Sequence, residues 1–182
     1  NGNDVEARAH MMSAAAMGAA AFQKGLGAIH ALSHPVGALY NTHHGTTNGT
    51  FMPYVLVFNS PAIEAKIERL AGYLGIAGGF DGFLAAVLDL RKKTGVPHDL
   101  KELGVDGSRV DTIVEMSLED PTAGGNPVPL TKEGSRKIFD AALKGEGFTG
   151  SLLILKSSGG ITGVEYAKSH PEELIESGPA GG

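Results

Sequence analysis

Between Gly27 and Gly45 the chain reads GAIHALSHPVGALYNTHHG, which holds four of its seven histidines: His30, His34, His43 and His44. Residues four apart share a helix face, so His30 and His34 would project from one side, the spacing that lets two imidazoles meet one ion or one substrate. His44 falls fourteen residues beyond His30, on a following helix that could return through the NTHHG turn and bring its ring back. Adjacent His43 and His44 cannot both enter one site from regular helix, so at most one of them is a ligand. Gly27, Gly37 and Gly45 would let backbone or ligand approach closely. The same residues could instead be helix-terminal or core histidines bonded to backbone, and the residues alone leave both readings open. A HExxH protease is excluded, because Ala31 follows His30 and no Glu stands between the two histidines. Two imidazoles are half a site. Catalytic zinc or iron takes three or four protein ligands, often with a carboxylate, and keeps one position open. Asp4, Glu6 and Asp120 are the acidic candidates, and none has a spacing to His30 that singles it out.

Composition narrows the classes of function. The 182 residues are 42 % hydrophobic, enough for a real core, and carry a net charge of −5 with no Lys/Arg-rich run. That balance gives no warrant for nucleic acid or an anionic membrane as the main partner. A small-molecule or protein partner fits better. Cysteine is absent, which removes disulfides and thiolate zinc sites and leaves His, Asp and Glu to hold any metal. No apolar run reaches the roughly 18 to 20 residues of a spanning helix, and NGNDVEARAHMM lacks the order of a signal peptide, so a cytoplasmic protein is expected. Asn48-Gly49-Thr50 matches a glycosylation acceptor and is read as a chance occurrence.

The elements that must carry the histidines are helical. Asp4 to about Phe22 is Ala- and Met-rich, and its small residues predict close helix packing. A second helix is expected from about Leu26 to Tyr40, kinked or broken near His34 by Pro35. A third starts near His44 and runs through FMPYVLVFN, disturbed at Pro53. Ser60 and Pro61 then read as a fresh helix start, with Ile63, Ile67, Leu70 and Leu74 on one face and an end at Gly75. Further helices are expected at about Phe80 to Lys93, Arg109 to Glu119 and Lys132 to Lys144, separated by Gly- and Pro-containing turns. After KGEGFTG the pattern changes: SLLILK reads as a strand, followed by a Gly turn, a short helix and a loop. A boundary is placed near 148, giving a helical domain over 1–147 and a tail over 148–182.

Residues 25–59, GLGAIHALSHPVGALYNTHHGTTNGTFMPYVLVFN, resemble the signature of the iron-containing (group III) alcohol dehydrogenases, G-x-x-H-x-x-x-H-x-x-G-A followed by a second His-Gly pair and then Asn. NDVEARAHMMSAAAMGAAAFQKG resembles the helix before that signature, and DPTAGGNPVPLTKEGSRKIFDAAL the closing loop and last helix, so the likeness covers residues 1 to about 146. It implies an all-α, multi-helix bundle of the dehydroquinate synthase-like kind, with a short strand-helix appendage. Carried over by position, it implies that His30 and His44 are metal ligands and that His34 is the nearby histidine, supporting the ligands or catalytic, that lines the alcohol and nicotinamide pocket. His43 stands where many relatives have proline and receives no role. Val128 follows Pro127 where relatives often have Arg, so no cofactor contact is assigned there.

In that family an Asp and a His spaced four apart supply the other two ligands, and a Gly-rich loop holds the nicotinamide phosphates. Neither pattern occurs here. TAGGNP and SSGGIT are read as turns rather than phosphate cradles. LLILKSSGGITGVEYAKSHPEELIESGPAGG is similar to the hydantoinase A and oxoprolinase group, whose actin-like fold cannot assemble from one strand and one helix. The expectation is therefore a fragment or a fusion of two coding regions, with a poorly ordered tail.

The resemblance thus implies the metal-binding catalytic half of an NAD(P)-linked alcohol dehydrogenase using Fe2+, with Zn2+ possible because imidazole suits both. Its partners would be an alcohol or aldehyde, the absent N-terminal nucleotide-binding domain, and a second copy in a homo-oligomer. By itself the chain is expected to be inactive. The alternative reading is a non-catalytic helical metal-binding or interaction module.

Overall fold

The computed structural model describes residues 2–145 and the backbone of 153–155 and 161–163. Residues 2–145 are all-α, as expected: α1 (Val5–Phe22), α2 (Ala28–Tyr40), α3 (His44–Tyr73), α4 (Gly79–Thr94), α5 (Val110–Glu119) and α6 (Lys132–Lys144). Short 3-10 turns lie at Lys101–Leu103 and Ala123–Gly125. Leu153–Leu155, within SLLILK, pairs antiparallel with Ile161–Gly163. The helix and loop expected beyond, and the expected lack of order in the tail, lie outside the described residues.

One core holds the body together. Ala28, Leu32 and Val36 of α2 pack with Phe51, Tyr54 and Val55 of α3, Leu100, Val105, Ile113 of α5, and Ile138, Phe139 and Ala142 of α6. The i, i+4 stripe on α2 is fully buried, so Leu32 alone contributes about 1.5–3 kcal/mol of apolar transfer. Ends form where side chains satisfy backbone: Asp4 accepts from the Ala7 N–H at the start of α1, and Thr131 accepts from the Gly134 N–H at the start of α6.

Two expected interruptions do not occur. α2 runs unbroken through Pro35, whose ring is fully buried, so the surrounding core holds the segment helical despite the missing N–H. The two helices expected on either side of Ser60 are one helix of 30 residues, and Ser60 caps nothing. Pro61 leaves the carbonyl of Val57 without a helical donor, in a stretch of α3 where both residues are exposed. α1 is also a correction. None of its residues is buried, because Met11, Met12, Met17 and Phe22 are distributed around the helix and give it no single stripe to seat on the body.

The end of α2 is tied to the loop before α5. Asp106 Oδ1 accepts from the Ser108 N–H (2.9 Å), the Tyr40 hydroxyl (2.7 Å) and the Ser108 hydroxyl (2.7 Å). These bonds hold its carboxyl at about 2 against an ordinary 3.8. The folded value is depressed, so the stabilisation is fully present above the unfolded value of 3.8 and is lost as pH falls through about 2. Asp106→Asn should therefore flatten part of the acid limb of a stability-against-pH curve between those two values. Parallel curves for variant and wild type would contradict the assignment.

Candidate metal and proton-transfer site

Three imidazoles meet where α2 and α3 join. His30 and His34 are one helical turn apart on α2, beside its buried stripe. Asn41, at φ +53° in the left-handed region that Asn tolerates, ends α2 and reverses the chain. His43 then caps α3 through its Nδ1, which accepts from the Thr46 N–H, and His44 is the first residue of that helix. The reversal returns His44 to its partners: ring centroids are 5.2 Å apart for His30 and His44, 5.3 Å for His34 and His44, and 5.7 Å for His30 and His34. Phe22, at the end of α1, meets His30 edge-on at 6.2 Å.

Asn48, one turn after His44 on α3, joins two of the rings. Its Nδ2 lies 3.2 Å from His30 Nε2 and 3.1 Å from His44 Nε2. An amide nitrogen only donates, so both ring nitrogens accept and each carries its proton on Nδ1. Two unprotonated Nε2 lone pairs therefore aim at one point, the donor chemistry a divalent metal needs. Burial, and then repulsion from His44 and His34, pushes the His30 pKa down, with Asp120 opposing. The Asn48 Oδ1 is buried without a partner among the described residues, so this spot is polar and incompletely satisfied. The residues fit a metal as half of a ligand set. Among the described residues no three His, Asp or Glu side chains are placed to hold an ion together.

His34 is held differently. Its Nδ1 lies 2.7 Å from Asp120 Oδ2, and its ring stacks at 13° to that of His44. Asp120 Oδ1 accepts from the Thr122 N–H (2.8 Å) and hydroxyl (2.6 Å). Burial alone would raise the Asp120 pKa, but the bonds from Thr122 and His34 bring it below the ordinary carboxylate value. The loop carrying Asp120 is pinned in turn by Asn126. Its Oδ1 accepts the Ala28 N–H at the start of α2 (3.1 Å) and its amide makes a reciprocal pair with Asn59. Gly125 is required at this seam, since a Cβ there would lie 2.1 Å from the Leu26 carbonyl oxygen.

The structure thus brings together His30, His34 and His44 and leaves His43 as a helix cap. Of the three acidic candidates, Asp120 alone touches the cluster, through His34 rather than as a ligand beside His30. Asp4 caps α1, and Glu6 pairs with His10 on the exposed face of that helix. Asn48, noted in the sequence only within a chance acceptor triplet, received no role in the site, although its i+4 spacing from His44 is a signal. Its amide is engaged and Thr50 is fully buried, which suits the reading of the acceptor triplet as chance. Gly124-Gly125 is a turn, and Val128 contributes its carbonyl to Asn126.

Known proteins share this arrangement of helices. Residues 1–143 match the Fe-containing alcohol dehydrogenase family, C-terminal, and residues 130–182 match the hydantoinase/oxoprolinase family. The chain is 36 % identical to a 4-hydroxybutyrate dehydrogenase of Cupriavidus necator, with 79 % of this chain and 40 % of the relative covered. It is 33 % identical to an NADPH-dependent butanol dehydrogenase of Clostridium saccharobutylicum, over 78 % of this chain and 39 % of the relative. Among solved structures, an alcohol dehydrogenase from Oenococcus oeni aligns with a TM-score of 0.73 at 31 % identity, over 78 % of this chain and 39 % of that one. The chain spans about 40 % of the length of the curated relatives it matches. It belongs to the Fe-containing alcohol dehydrogenase family, matching the C-terminal part over residues 1–143.

Proposed function

We propose that this chain supplies two metal ligands, His30 and His44, and the proton-handling histidine, His34, of an NAD(P)-linked alcohol dehydrogenase. The observation that carries the reading is the convergence of the His30 and His44 Nε2 atoms on one amide nitrogen, at 3.2 and 3.1 Å. Ferrous iron, with zinc as the other candidate, is the ion that this donor set and family suit. When bound it supplies Lewis-acid polarisation of the alcohol oxygen. His30 and His44 would hold it, and His34 would take the hydroxyl proton at Nε2 while Asp120 occupies Nδ1.

The remaining ligands and the nucleotide-binding domain belong, in this reading, to the part of the relatives' length that this chain does not cover. Their names include both an NADPH-dependent butanol dehydrogenase and an NAD-dependent methanol dehydrogenase, so either nicotinamide suits the whole enzyme. Alone, the chain would bind one metal ion weakly and reduce no nicotinamide. The expected setting is the cytoplasm; among the described residues no helix is long and apolar enough to cross a membrane.

Anaerobic calorimetry with ferrous iron and with zinc tests this. One weak site is expected, lost in His30→Ala and His44→Ala by more than the roughly 10–100-fold that removing an outer-shell partner costs. His34→Ala should bind nearly as wild type does. Equal losses at all three positions would favour a loose chelating module without catalysis, and binding indifferent to His30 and His44 would overturn the reading.

A further inference from the structure

We propose that Asp120 is the positioning residue of His34: it fixes the neutral imidazole as the Nδ1–H tautomer and so keeps the Nε2 lone pair turned away from the loop, toward substrate. The inference rests on the functional reading above and adds to it a residue 86 positions away in the chain.

A carboxylate only accepts, so the 2.7 Å contact requires the proton on His34 Nδ1. That contact is the sole side-chain hydrogen bond of His34 among the described residues, and the side chain is 42 % exposed, so no described partner occupies Nε2. The carboxylate is itself fixed. Its side chain is only 11 % exposed, and its other oxygen receives two bonds from Thr122. Asn126 anchors the same loop to Ala28, on the helix that bears His34, so base and orienter share one rigid frame. The ring also stacks against that of His44, at 13° and 5.3 Å between centroids.

The chemical consequence follows from the tautomer. When an alcohol O–H bond breaks, its proton forms a new bond at Nε2, and the resulting imidazolium faces the Asp120 carboxylate. An oxidised nicotinamide bound by the complete enzyme would supply the acceptor for the carbon-bound hydrogen as hydride, so that it would be reduced as the alcohol is oxidised. With the opposite tautomer, Nε2 already carries a proton and cannot accept another.

Long-range 1H–15N correlation NMR on the uniformly labelled, metal-free full chain reads this directly, at a pH above the ordinary imidazole range. Wild-type His34 should show one dominant form, protonated at Nδ1 and unprotonated at Nε2. Asp120→Ala should shift His34 to a majority of the Nε2–H form while His30 and His44 keep their signatures, and Asp120→Glu should restore the wild-type pattern. A wild-type His34 protonated mainly on Nε2, or an unchanged pattern in Asp120→Ala, overturns the proposal. If Asp120→Ala fails to fold, the wild-type spectrum still decides. A zinc titration of the same samples separates the two claims: absence of metal binding beside a normal tautomer sinks the functional reading alone, and binding beside the wrong tautomer sinks this one alone.

Discussion

Asn126→Ala should lower the unfolding free energy of the helical body by about 2–4 kcal/mol, read as a shift in urea midpoint at unchanged slope. The side chain makes four bonds: Oδ1 accepts from Ala28 N–H (3.1 Å) and Asn59 Nδ2 (3.0 Å), and Nδ2 donates to Asn59 Oδ1 and the Val128 carbonyl (both 2.7 Å). Truncation strands the Asn59 amide, which is 6 % exposed, and the first N–H of α2, whose own N-cap, Gly27, offers no side chain. Each buried group left unpaired costs about 1–3 kcal/mol, more than the bond itself contributed. Adding Asn59→Ala should then cost much less than it does in the wild-type background, because its partner has already gone. Additive losses would show that the reciprocal pair is not the source of the effect.

Phe139→Ala should cost about 3–5 kcal/mol, the loss of a large aromatic from a site that cannot collapse. Phe139 is fully buried in the middle of α6 and meets residues from α2, α3 and α5 in a single core. Lys137, two positions away on the exposed side of the same helix, is the control and should stay within about 0.5 kcal/mol when replaced by Ala. A loss at Phe139 no greater than at Lys137 would mean that α6 is not seated on the core as described.

What was legible in the sequence was local. The bounds of α6, the start of α1 at about Asp4 and the end of α3 near Gly75 are written in residues a few positions apart, and the structure has them within one or two residues. The histidine triangle was half legible, because the i, i+4 pair and the turn at Asn41 are local, whereas the closing distance is not. Readings failed where packing outweighs local preference. Pro35 and Pro61 are helix breakers by propensity, yet one lies deep in the core and the other sits on an exposed stretch of α3. Asp120 was visible as an acid but not as the partner of His34, since nothing in the local pattern joins residues separated by 86 positions. The DPT sequence did hold a clue: an Asp two residues before a Thr forms the small turn that fixes this carboxylate.

The most direct test of the central claim is X-ray absorption at the metal edge of the zinc- or ferrous-loaded chain, with the metal kept below one equivalent. Two imidazole nitrogens should appear in the first shell, at about 2.0–2.1 Å for zinc, the rest being water oxygens, and in the His30→Ala and His44→Ala variants, whose binding is lost, the imidazole contribution should fall away. A first shell without imidazole, or one unchanged in both variants, would show that the convergence of His30 and His44 is not a metal site.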